Sequence, residues 1–140
     1  MHGYERPYQW ASYDDVPFVK WSERGLDLSD ATVGVVTTTF PTTFTAPKKV
    51  YAQSSATIPD AMFTKDLSWD KDATHTDDVG TFLPLASLNA LADNGTIGKV
   101  SDRFYGVPTE YSQRRTHADA QEIVSWAKED GVDVMLLVPL

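Results

Sequence analysis

Two runs of the chain restrict its fold class more than anything else in it. Ala31-Thr-Val-Gly-Val-Val-Thr-Thr-Thr39 and Val132-Asp-Val-Met-Leu-Leu-Val-Pro-Leu140 are rich in β-branched and aliphatic residues. Neither shows the apolar–polar alternation of a half-solvated strand, so each reads as a strand buried on both faces, the condition of a parallel sheet. Parallel strands cannot be joined by a tight turn and need a crossover, usually a helix.

The sequence between the two runs supplies the crossovers. Pro84 to Asn94 reads as a helix, with Leu85, Leu88, Leu91 and Ala92 at helical spacing and Asn94-Gly95 as a left-handed stop. Ile97 to Gly106 reads as a third strand or extended segment. A second helix is expected from Thr116, as N-cap, to the stop at Gly131, with Ala120, Ile123, Val124 and Ala127 along one face. Asp66-Leu-Ser-Trp69 is a further strand candidate, Lys48 to Asp60 is read only as a short helix or strand, and Asp70 to Gly80 reads as an acidic loop. The order strand, helix, strand, helix, strand predicts an α/β fold: a three-layer parallel-sheet single domain, Rossmann-like in the loose sense, covering 31–140. Residues 1–30 read as an aromatic N-terminal arm, with Tyr4, Tyr8, Trp10, Tyr13, Phe18 and Trp21 scattered without a period and a short helical turn near Val19 to Arg24.

Composition then excludes whole classes of function. The 140 residues carry 12 basic and 20 acidic side chains, a net charge of −8, which leaves no surplus cation to neutralise a nucleic-acid backbone. No apolar run is long enough to span a bilayer, and Met1 to Trp10 has no apolar stretch of a signal peptide, so a cytoplasmic location is expected. There is no cysteine, hence no disulfide, thiolate metal site or cysteine nucleophile within these residues. Glycine-rich phosphate loops and serine-hydrolase elbows are missing, and no cofactor or metal is expected in this chain.

Candidate site residues remain. Arg114 and Arg115 are adjacent at the start of the second helix, beside Tyr111. Cations there oppose the helix dipole, so they either hold a carboxylate or phosphate or pair with surface acids such as Glu110 and Asp119. His75 lies among Asp70, Asp72, Asp77 and Asp78. Neighbouring carboxylates favour the protonated imidazole, which makes it a proton-donor candidate, against a plain solvated acidic loop. His75 and Asp77 could also give two metal ligands, too few for a site. Thr37 to Thr39 follow the first strand, where they either orient a small substrate or bond the turn before Pro41.

Three segments together resemble the selenoprotein B family of glycine, sarcosine, betaine and D-proline reductases, in particular its short members. They are Val33-Gly-Val-Val-Thr-Thr-Thr39; Ser68-Trp-Asp-Lys-Asp-Ala-Thr-His-Thr-Asp-Asp78 through Pro84 and on to Gly98; and Phe104-Tyr-Gly-Val-Pro-Thr-Glu-Tyr-Ser-Gln-Arg-Arg-Thr116 through Leu140. The resemblance implies a reductase that cleaves a carbon–heteroatom bond of a small substrate through a selenol or thiol, with a disulfide as acceptor. It implies a redox protein partner or further reductase subunits. It also implies that the redox residue, a selenocysteine or cysteine, belongs after the last strand, so that the sequence stops just before it at a UGA read as termination. Such a chain alone is expected to be inactive, with no catalytic residue of its own and with an exposed apolar edge at Val134 to Leu140. Within it, Tyr111, Arg114, Arg115 and His75 are the expected substrate-binding residues. The other reading is a complete, non-catalytic α/β module that binds a small anion or a protein partner.

Overall fold

The computed structural model describes residues 25–42, 49–64, 72–73, 75–109 and 112–140. The aromatic arm up to residue 24 and the strand candidate Asp66 to Trp69 lie outside these residues. The elements are β1 (Thr32–Thr37), β2 (Phe40–Pro41), β3 (Tyr51–Ser54), β4 (Met62–Phe63), α1 (Leu85–Asp93), β5 (Lys99–Val100), β6 (Arg103–Gly106), α2 (Gln113–Glu129) and β7 (Val134–Val138).

β1 is the middle of the main sheet. Along one edge it pairs in parallel with β7, from Val33 opposite Val134 to Thr37 opposite Val138. Along the other edge it pairs in parallel with β5 and then β6. These two are one strand interrupted at Ser101 and Asp102. Thr32 faces Lys99 whereas Val36 faces Tyr105, so two extra residues are accommodated between the pairings, as in a bulge. β3 lies antiparallel on the outer side of β6, Tyr51 opposite Gly106. The expectation of an all-parallel sheet is thereby corrected: the sheet is mixed and mostly parallel. β2 and β4 form a separate two-stranded ladder.

Alternation along β1 sends its side chains to two cores. Val33 and Val35 join Phe104, Phe82, Leu83, Leu85 and Leu88 on the face that α1 covers. Val36 joins Tyr105, Ile123 and Ala127 on the face that α2 covers. All six residues of β1 are buried, as its lack of apolar–polar alternation predicts, and the layers run helix, sheet, helix.

The helices differ from their sequence expectations at the ends. α1 begins at Leu85, with Pro84 in the N-cap place. α2 begins at Gln113, not after Thr116. Its first turn closes when Arg115 N–H and Thr116 N–H both donate to the Ser112 carbonyl, each at 2.9 Å, and the Thr116 hydroxyl donates back to that carbonyl instead of capping. Arg114 and Arg115 are therefore inside the helix. Both helices stop at glycines with positive φ, Gly95 at 76° and Gly131 at 66°, which only glycine adopts freely.

β7 is the larger correction. It is a parallel strand, as predicted, but it is not buried: it is the edge of the sheet, with Leu136 39% and Leu137 70% exposed. Nothing among the described residues pairs with its outer side.

Candidate functional site at the carboxyl ends of the strands

In an open parallel sheet the loops that leave the carboxyl ends of the strands shape the crevice where ligands bind. Here that pole is built by the ends of β1, β6 and β7. Thr37 and Thr39 are fully buried, their hydroxyls 2.9 Å apart, and Thr39 N–H donates to the Thr37 hydroxyl at 3.3 Å. This is the local turn bonding before Pro41 that the sequence suggests.

Thr38, between them, does something else. Its hydroxyl accepts from Leu140 N–H at 2.9 Å and donates to the Leu140 main-chain oxygen at 3.4 Å. A single side chain thus ties the carboxyl end of β7 to that of β1, beyond the last ladder pair.

Tyr51 braces the same pole from β3. Its hydroxyl donates to the Thr39 carbonyl at 2.7 Å, and burial holds that phenol far above its ordinary pKa. The ring lies where residue 106 has no side chain: a Cβ on Gly106 would stand 1.8 Å from Tyr51 Cε1. Gly106 is thus required by close approach of a ring to backbone. Phe40 and Phe104 flank the Tyr51 ring, with centroids 5.7 and 6.2 Å away, the second edge-on. What results is a buried, uncharged floor of hydroxyl groups.

The sequence candidates fall around this floor unequally. α2 follows β6 and runs back over the sheet, so its first turn, with Arg114 and Arg115, stands at the carboxyl-end pole. Arg114 is exposed and Arg115 half-buried. Tyr111 lies outside the described residues. His75 is on an exposed stretch, its side chain 74% exposed, and its Nδ1 is 3.4 Å from Asp77 Oδ2 and accepts from Asp77 N–H at 3.4 Å. No cluster of metal-ligating residues exists among the described residues.

The opposite pole carries a network that the sequence reading missed. Arg103, at the start of β6, donates from Nε to both carboxylate oxygens of Asp130, at 3.0 and 2.8 Å, and from Nη2 to Oδ1 at 2.8 Å. Its Nη2 also reaches Glu129 and the Trp126 carbonyl in the last turn of α2, where the helix dipole favours a cation. The Tyr105 hydroxyl donates to Asp130. Hydrogen bonds from Arg103 hold the Asp130 carboxyl below its usual range and raise the guanidinium further, while burial and then the bond to Asp130 push Tyr105 up to about 12. The network fastens α2 to the sheet and lies away from the crevice. Its partners are 27 residues apart, so no local pattern marks it.

Comparison with protein-family models, with curated proteins and with solved structures finds no match. No helix among the described residues is long and apolar enough to cross a membrane.

Proposed function

We propose that the chain is a component of a selenol- or thiol-dependent reductase of the glycine, sarcosine, betaine and D-proline reductase type. In this reading the reacting selenium or sulfur is carried by polypeptide following Leu140. One observation supports it above the others: the Thr38 hydroxyl bonds both main-chain polar groups of Leu140, so the carboxyl end of β7 is held beside that of β1. A residue placed after Leu140 would leave the sheet next to Thr38, at the carboxyl ends of β1 and β7.

The remaining groups suit that chemistry. A substrate that carries a carboxylate would be met by Arg114 and Arg115 at the N-terminal turn of α2, where backbone N–H groups also favour an anion. The chain itself offers no nucleophile for the reductive step, since it has no cysteine. A redox protein partner or further subunits would exchange electrons with the selenol or thiol through a dithiol–disulfide pair.

Reading the gene beyond codon 140 tests the proposal. A UGA or cysteine codon in frame soon after the last strand is the expected result, and a sequence there that carries neither overturns it. The biochemical counterpart is the chain extended through that frame with cysteine at the next codon. It should gain a thiol-dependent reductive activity and a higher melting temperature. An extension that changes neither leaves the module with a simple anion- or partner-binding role.

A further inference from the structure

Asn94 is the one asparagine of the chain that a glycine follows. The pair is chemically labile, because glycine has no side chain to shield its main-chain nitrogen from the asparagine side chain. Asn94, Gly95 and Thr96 are all exposed, so water reaches them. A Cβ built on Gly95 would meet nothing within 4 Å.

The fold holds these groups in a closed turn. α1 ends with Gly95 N–H donating to the Ala92 carbonyl at 3.0 Å and Thr96 N–H donating to the Leu91 carbonyl at 2.9 Å, the paired bonds of a Schellman motif. Thr96 also reaches the asparagine side chain: its N–H donates to Asn94 Oδ1 at 3.0 Å, and its hydroxyl donates to the same oxygen. Asn94 stands at φ −91° and ψ 3°. With ψ near zero, the Gly95 nitrogen eclipses the Asn94 nitrogen about the Cα–C bond. A cyclic imide through the side chain needs it to eclipse Cβ instead. The rotation that brings it there breaks the bond to Ala92, and moving Cγ towards it breaks the bonds to Thr96.

We infer that Asn94 is a site of spontaneous deamidation whose rate is set by opening of the turn that ends α1, with Thr96 as the residue that holds it closed. In the opened turn the Gly95 nitrogen gives up its proton and attacks Asn94 Cγ. The new C–N bond closes a succinimide, the Cγ–Nδ2 bond breaks, and ammonia leaves with the proton. Water then opens the ring at either carbonyl, giving aspartate or the β-linked isoaspartate. Both products add a negative charge beside Asp93, at the helix end that disfavours anions. Isoaspartate also lengthens the main chain by one carbon, in a turn that leads directly into the buried Ile97 and then β5. Deamidation is thus a one-way loosening of the junction between α1 and the sheet. The inference does not depend on the reductase reading.

The test incubates the 140-residue chain, folded and in urea, in mildly alkaline buffer and follows the peptide that contains Asn94 by tandem mass spectrometry. Asn89, which alanine follows inside α1, is the internal reference. Asn94 should deamidate at least about tenfold faster in urea than in the folded chain, since reaction in the latter waits for local opening. Folded Thr96→Val should react several-fold faster than the parent, and Thr96→Ser, which keeps the hydroxyl, at the parent rate. In urea all three should react alike, which separates the turn from any direct effect of the side chain on the chemistry. The deamidated fraction, separated by its extra charge on an anion exchanger, should melt at a lower temperature. Equal rates folded and in urea, an Asn94 that stays intact in urea, or a folded Thr96→Val that reacts at the parent rate would each overturn the inference. An unchanged melt would overturn the loosening.

Discussion

β1 and β7 run side by side in the same direction, in register over five pairs, and both are composed almost wholly of apolar and β-branched residues. Every residue of β1 is buried and none of β7 is. The difference lies in their neighbours. β1 has β7 on one edge and β5 with β6 on the other, and a helix on each face. β7 has β1 alone. Composition tells which segments can be strands. The number of partners tells which of those strands is a core and which is a surface.

The sharpest way to break this comparison is to put one charge on each strand. Val35→Asp places a carboxylate at a site 1% exposed without a partner, which costs several kcal/mol and should remove the cooperative melt altogether. Leu137→Asp on β7 should shift stability by no more than about 0.5 kcal/mol. Comparable losses in thermal unfolding of the two variants would mean that β7 is covered after all.

Gly106→Ala comes next. The added methyl displaces the Tyr51 ring, and overpacking of this kind costs about 1–3 kcal/mol, with loss of the Tyr51 bond to Thr39 in addition. The double change Gly106→Ala with Tyr51→Leu should recover part of the loss, since it removes the clash. A denaturant melt that shows no recovery would place the strain elsewhere.

Asp130→Asn should cost about 1–2 kcal/mol, because Arg103 and Tyr105 lose a charged acceptor while Arg103 keeps some access to water. The same variant tests the pH dependence. The folded-state pKa of Asp130 is depressed, so its contribution is present above the ordinary carboxylate range and is lost as pH falls through the folded value. Acid unfolding curves of the two proteins should therefore converge at the acid end. Curves that stay parallel would assign the acid sensitivity to other carboxylates.

Only a modest effect on stability is expected of Thr38→Val, about 1 kcal/mol or less, since it removes one hydroxyl and keeps the shape. Its value lies in position. Amide exchange at Leu140 should accelerate by a larger factor than exchange anywhere in β1, and equal acceleration across both strands would dissolve the link between the two strand ends.

Legibility followed the range of the interaction. The α/β class, β1, α1, the body of α2 and β7 were visible because burial period, β-branching and glycine stops are local signals. β3 is ambiguous between helix and strand in the sequence, because Tyr51-Ala-Gln-Ser54 has one buried residue and its identity comes from pairing with β6. The start of α2 lies earlier than its sequence suggests, because Thr116 looks like a cap while the Ser112 carbonyl closes the first turn. Of the candidate site, the threonines and the arginine pair were recognised as groups at strand and helix ends. Thr38 with Leu140, separated by 102 residues, and Tyr51 against Gly106 were not, because nothing in either local sequence names its partner.

By itself, then, the sequence determined that this chain builds a sheet with helices on its faces, and that no thiol chemistry resides in its residues. The tertiary structure alone decided that β7 is an edge and not a core, and that the ends of β1 and β7 are tied at one pole while Arg103 and Asp130 lock the other. The reason is physical. Propensity and periodicity act over a few residues, whereas edge, face and pole are properties of which distant segments come to lie together.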